Sequence, residues 1–181
     1  MAKIYVLFAD GTEEIEGLTV VDILRRGGQE TITVSVTGRE LIEGSHNIRF
    51  YTDRLFDEKE LKDGDMLVLP GGGNGTKALA AHEGVRKLLT AYCEADKYIG
   101  AICAAPSVLG MNGLLRGKRA TCYPGFEEKL LGAEITGEAA VIDGRIITGK
   151  GMGVSKEFAL ALLSVLDDGE AKRVAESIQT V

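Results

Sequence analysis

Cys103 stands where a thiol can do chemistry. Residues 99–110 read Ile-Gly-Ala-Ile-Cys-Ala-Ala-Pro-Ser-Val-Leu-Gly, an apolar strand-like run meeting a helix start at the cysteine. A nucleophile on a tight strand-to-helix turn needs small residues two before and two after it, because the backbone there folds close on itself. Ala101 and Ala105 meet that demand, and Pro106 presets φ in the first helical turn, where its missing N–H costs nothing. The free N–H groups of the helix would face the sulfur. Such partial positive charges lower a cysteine pKa from about 8.5 to between about 3.5 and 7.5. Cys103 is thus expected to be largely ionised at neutral pH. The competing reading, a small buried core residue, is the commoner fate of a lone cysteine; the elbow pattern argues against it.

The other reactive side chains are few. Cys93 and Cys122 complete an odd, widely spaced set without a C-x-x-C pair, which argues against zinc, dithiol redox chemistry or a disulfide framework. Only two histidines are present, His46 in a polar turn and His82 ahead of a helix. Both are expected at the surface, without catalytic parts. Glu13, Glu14 and Glu16 load the first turn of a helix, where acidic charge suits the dipole and is usually solvated. Glu16 stands out because the preceding strand ends at the carboxyl edge of the sheet, where ligands gather in open α/β folds. The run Pro70-Gly-Gly-Gly-Asn-Gly75 fails both phosphate-loop templates, since Lys77 follows Thr76 and the last glycine of G-x-G-x-x-G is Thr76. It reads instead as a strand-end turn whose amides can form half of an oxyanion or thiolate nest.

These residues need a scaffold, and the chain writes one. Residues 3–9 are a near-continuous apolar run, as parallel strands buried on both faces show. A helix follows, with Thr12 as its expected cap, ending at Gly27-Gly28. Strands are predicted over 31–37, near Leu41, over 48–51, at Met66 and before Cys103, with helices near 57–61, over 83–96 and over 126–131. Asp143-Gly144 between two apolar triplets is a hairpin signal. A helix carrying Val154, Phe158, Leu162, Val165 and Leu166 on one stripe comes next, and a last one from Glu170. The sum is a doubly wound, mostly parallel α/β sheet with helices on both faces and a small β-hairpin, in a single domain over 1–181.

At 181 residues and 45% hydrophobic, the chain can bury one substantial core. A net charge of −6 leaves no basic surplus for nucleic acid or anionic lipid, and no apolar run approaches the roughly 20 residues of a membrane span. A cytoplasmic protein is expected.

With these pieces placed, the chain resembles the ThiJ/PfpI superfamily, which shares the class I glutamine amidotransferase-like domain. It is most similar to the branch of the Parkinsonism-associated deglycase and YajL-like bacterial proteins. The resemblance rests on Gly11-Thr-Glu-Glu-Ile-Glu16, Val21-Asp-Ile-Leu-Arg-Arg-Gly27, Val68-Leu-Pro-Gly-Gly72 and Ala101-Ile-Cys-Ala-Ala-Pro106. It implies a flavodoxin-like fold, a homodimer, no metal or cofactor, and Cys103 as the reactive thiol hydrogen-bonded to Glu16. Backbone amides of Gly72 and Ala104 would line the pocket, together with Gly71, Tyr123 and Pro124. The chain departs from the family in four places. Ala104 replaces the histidine of peptidase-like members, which speaks against a cysteine peptidase or amidase. Tyr123 replaces a histidine before the proline, His46 an arginine at the dimer-facing turn, and Gly151-Met-Gly-Val154 a Gly-Pro-Gly-Thr run.

What the resemblance implies about activity is a cysteine-dependent enzyme acting on small reactive aldehydes, of glyoxalase III or deglycase type. Glu16, its pKa raised by burial and by the neighbouring thiolate, would shuttle protons. The same residues would serve an oxidative-stress sensor or redox-regulated chaperone, with Cys103 oxidised to sulfinate.

Overall fold

In the computed structural model, which describes residues 1–179, the apolar run at the N-terminus forms β1 (Lys3–Phe8) and alternates between two cores. Ile4, Val6 and Phe8 enter one hydrophobic cluster, Tyr5 and Leu7 the other. A strand so placed has no polar face, which is why periodicity fails along it and continuous hydrophobicity replaces it.

The chain continues through α1 (Glu14–Arg26), β2 (Glu30–Ser35), β3 (Leu41–Glu43), β4 (Arg49–Tyr51), β5 (Arg54–Leu55), β6 (Met66–Leu69), α2 (Gly73–Ala81) and α3 (Glu83–Glu94). It closes with β7 (Tyr98–Ile102), α4 (Pro106–Met111), β8 (Arg119–Ala120), β9 (Glu134–Ile135), β10 (Ala140–Asp143), β11 (Ile146–Gly149), α5 (Ser155–Ser164) and α6 (Asp168–Ser177). Seven strands form one sheet in the order β10-β11-β7-β6-β1-β2-β5. Every pairing in it is parallel except β10 with β11, the hairpin turned at Asp143-Gly144. Helices cover both faces. Val20 and Leu24 of α1 and Phe158 and Leu162 of α5 close one core; Leu88 and Leu89 of α3 and Val108 of α4 close the other. No helix among the described residues is long and apolar enough to cross a membrane.

Several expectations shift. The glycine run is not only a turn, because Gly73 opens α2 directly. The segments near 57–61 and 126–131 form only short 3-10 turns, Glu60–Asp63 and Glu127–Lys129. Thr12 does not cap α1. Its hydroxyl donates instead to the Gly71 carbonyl at 3.3 Å, fastening the end of β1 to the turn after β6. His82 is half-buried rather than a loose terminus: its Nδ1 accepts from the Val85 N–H at 3.2 Å, capping α3.

Candidate active site

Because β7, β6 and β1 are neighbours in the sheet, their carboxyl ends deliver three segments to one crevice. These are the Cys103 turn, the Pro70-Gly71-Gly72 turn, and the start of α1 with Glu16.

Cys103 has φ +65°, in the left-handed region that side chains other than glycine avoid. Such a conformation costs roughly 1–3 kcal/mol and persists only where its surroundings hold it. Here the Cys103 N–H donates to the Gly149 carbonyl at 2.9 Å, and its carbonyl accepts from the Tyr123 N–H at 2.8 Å. The peptide is thus clamped between the end of β11 and the segment after β8. Ala105 N–H closes the turn onto the Ile102 carbonyl at 3.0 Å.

Glu16 is 0% exposed. Its Oε2 accepts the Gly71 N–H at 2.9 Å, while Oε1 is buried without a donor. Gly71 is what lets the groups meet. A Cβ there would fall 2.4 Å from Glu16 Oε2 and 2.6 Å from Cys103 Cβ, closer than any side chain tolerates. Gly72, at φ +92°, turns its amide toward the sulfur, as does Ala104.

Burial raises the Glu16 carboxyl to about 7, against the lowering contacts from Cys103 and Gly71. Burial also pushes the Cys103 thiol up, to about 12, and the charge and hydrogen bond of Glu16 add to the rise; the Gly72 and Ala104 amides oppose it. Two negative charges therefore do not coexist here. The helix expected to ionise Cys103 is only six residues long, so its dipole is a weaker aid than the sequence suggested. What decides where one charge rests is solvation. An ionised Glu16 has the Gly71 N–H and the Cys103 thiol as donors, whereas a thiolate at the half-buried sulfur has the Gly72 and Ala104 amides. A proton on Glu16 removes its charge from beside the sulfur and turns the carboxyl into a donor. The proton they share thus has two places to rest, on Glu16 beside a thiolate or on Cys103 beside a carboxylate.

Around the pair lies a cavity of about 650 Å³, lined by Glu13, Glu14, Ile15, Glu16, Ser45, His46, Ile48, Gly72, Gly73, Cys103, Ala104, Tyr123, Phe126 and Met152. Tyr123 lines it, half exposed. Gly71 lies buried behind the pair rather than on the wall, and Pro124 faces solvent outside it. The glutamates of the first turn are not merely solvated caps. Glu14 is 2% exposed and binds the β3–β4 turn: Oε1 accepts the His46 N–H at 2.7 Å, and Oε2 lies 3.0 Å from His46 Nδ1 and 3.1 Å from Ser45 Oγ. These bonds outweigh its desolvation and hold its carboxyl down at about 2. Donor atoms of Glu13, Glu14 and His46 gather within 4.8 Å of one another, but both Glu14 oxygens are engaged, and the cluster is read as an ion pair. His46, Ser45 and Glu14 were missed because their contact spans about thirty residues of sequence. Cys122 is buried in the core cluster on the opposite face from the one Cys103 packs against, and all three cysteines are free.

The model of the DJ-1/PfpI family matches residues 2–165. The chain belongs to that family. Among DJ-1/PfpI proteins it is 38% identical over 163 residues to Protein DJ-1 homolog B of Arabidopsis thaliana, covering 89% of this chain but 37% of that relative, so it spans well under half of the plant protein's length. It is 31% identical to the Glutathione-independent glyoxalase DJR-1.2 of Caenorhabditis elegans, covering 93% of this chain and 90% of that one. It is 29% identical to the Deglycase PYRAB04690 of Pyrococcus abyssi, covering 82% and 89%. Among solved structures, a cysteine-to-alanine mutant of the DJ-1 superfamily protein STM1931 from Salmonella typhimurium superposes with TM-score 0.93 at 33% identity, over 100% of both chains. Toxoplasma gondii DJ-1, described as oxidized, gives 0.92 at 30% identity over 98% of each. The DJ-1/PfpI fold is thereby shown for this chain: a mostly parallel α/β sheet with a small antiparallel hairpin.

Proposed function

We propose that this chain is a cysteine-dependent enzyme acting on small reactive aldehydes, of the glyoxalase or deglycase type. The observation that carries the reading is the placement of Cys103, in a strained left-handed turn with two amides on its sulfur and the fully buried Glu16 beside it. The names of the nematode and archaeal relatives support the class. Cys103 attacks the aldehyde carbon, and the Glu16 proton passes to the new alkoxide, giving a hemithioacetal and a carboxylate. That carboxylate is then the base for the next step, removal of the C–H proton. The substrate is a small molecule, and we place the enzyme in the cytoplasm. A second copy of the chain is proposed to cover Ile15, Leu18 and Ile48, apolar side chains left 51%, 38% and 53% exposed beside the cavity mouth.

The test is production of lactate from methylglyoxal by the wild type and by Cys103→Ala. Lactate that depends on Cys103 supports the reading; none from either protein overturns it. The second reading, a redox sensor, is favoured by the partial exposure of a sulfur held by amide donors and by the oxidized Toxoplasma relative. A stable two-oxygen adduct confined to Cys103 after peroxide, without aldehyde turnover, would favour it.

A further inference from the structure

His46 is the only imidazole on the Cys103 cavity among the described residues, since His82 caps α3 elsewhere. Its setting is built rather than incidental. Glu14, with its side chain 3% exposed, spends one oxygen on the His46 backbone N–H and the other on Nδ1 and Ser45 Oγ. Gly44 makes room for that carboxylate, because a Cβ there would lie 2.2 Å from Glu14 Oε1. A carboxylate against Nδ1 fixes the proton on that nitrogen, and Nε2 has no partner among the described residues. The ring itself is 67% exposed at the cavity rim, where a bound molecule can reach it.

We propose that His46 is a second acid–base residue of the Cys103 site, with Nδ1 held by Glu14 and Nε2 turned to the substrate. The proposal rests on the aldehyde reading above and deepens it: the substrate class is a 2-oxoaldehyde, whose second oxygen needs a proton donor of its own. After the S–C bond has formed, Glu16 carboxylate removes the C–H proton, and the electron pair moves to the neighbouring ketone oxygen. His46 Nε2–H protonates that oxygen, giving an enediol. Glu16 then returns its proton to the second carbon while His46 takes the hydroxyl proton from the first, leaving a thioester. Water cleaves the thioester to a 2-hydroxy acid and frees Cys103. One carbon is oxidised, its neighbour is reduced, and water is the sole co-reactant.

The groups around His46 favour the acid form the first transfer requires. Glu13 and Glu14, at the start of α1, both face the ring, and they raise its pKa above the usual 6.5. Glu43 and Arg49 of the same hairpin are spent on each other.

The experiment compares lactate formation from methylglyoxal across pH by wild type, His46→Gln, His46→Arg and His46→Gly, with Cys103 alkylation as the check that each variant is folded. The arginine keeps a cation for Glu14 but cannot release a proton. The expected result is kcat lowered about 10²-fold in both H46Q and H46R. The high-pH fall of the wild-type profile disappears, KM changes little, and added imidazole restores turnover to the glycine variant. Wild-type kcat and pH profile in either H46R or H46Q, or no rescue by imidazole in a folded glycine variant, overturns the proposal. Absence of lactate from the wild type is a different failure, that of the aldehyde reading, and takes this proposal with it.

Discussion

Glu16 and Cys103 meet across Gly71 so closely that one added methyl group there would touch both, at 2.4 Å from Glu16 Oε2 and 2.6 Å from Cys103 Cβ. They arrive from different elements, Glu16 from α1 and Cys103 from the turn after β7, separated by nearly ninety residues. The contact makes them one ionising unit, and the account of this site depends on how that unit shares a proton.

Gly71→Ala is the smallest change that pries the pair apart. Forcing a methyl into space already filled by the Glu16 carboxylate, the Cys103 side chain and the Ile102 carbonyl costs typically about 1–3 kcal/mol. The expected outcome is a folded protein with a lower thermal midpoint and at least about 10²-fold less aldehyde turnover, since misplacing catalytic groups by an ångström has that effect. Turnover at the wild-type rate would show that the Glu16–Cys103 contact is not needed.

Glu16→Gln keeps a hydrogen-bond donor beside the sulfur and removes the proton shuttle. Turnover should fall about 10²–10⁴-fold while Cys103 remains open to alkylation. Equal loss of both would point to a collapsed site instead.

Glu14 links the site to acid stability. Its folded carboxyl sits at about 2, below the ordinary 4.5. A group whose folded pKa is depressed stabilises the fold above its unfolded pKa, and the stabilisation drains away as pH falls from about 4.5 toward 2. The size is of order 3 kcal/mol. Urea midpoints measured at pH 7, 4.5 and 3 should fall steeply for the wild type and more gently for Glu14→Gln; parallel curves would contradict the buried ion pair.

Ile48→Asp places a charge on the apolar face shared with Ile15 and Leu18. If a second copy covers that face, the wild type sediments as a dimer and this variant as a monomer. A monomeric wild type would remove the proposed partner.

The parts of this architecture that local chemistry encodes were legible in the sequence. Cys103 announced its turn through Ala101, Ala105 and Pro106, and the positive φ follows from that pattern. The Asp143-Gly144 hairpin and the two-faced burial of β1 were equally readable. What could not be read were contacts made only by folding. Glu14 looked like any helix-start glutamate until the β3–β4 turn was laid over it, and His46 like any loop histidine. Gly73 was hidden because a glycine run signals a turn more strongly than a helix start. Thr12 reads as a cap in the sequence, but its hydroxyl has a better partner in Gly71, in the turn after β6 far along the chain.

The most direct test of the central claim is the pH dependence of alkylation at each cysteine, resolved by mass spectrometry, in the wild type and in Glu16→Gln. If the proton rests on Glu16 and the charge on sulfur, Cys103 titrates below an ordinary thiol's value of about 8.5. It stays below it in E16Q, where the amide still donates to the sulfur. A Cys103 midpoint above 8.5 in the wild type that drops when Glu16 loses its charge would contradict the account. It would show that carboxylate beside neutral thiol is the resting state.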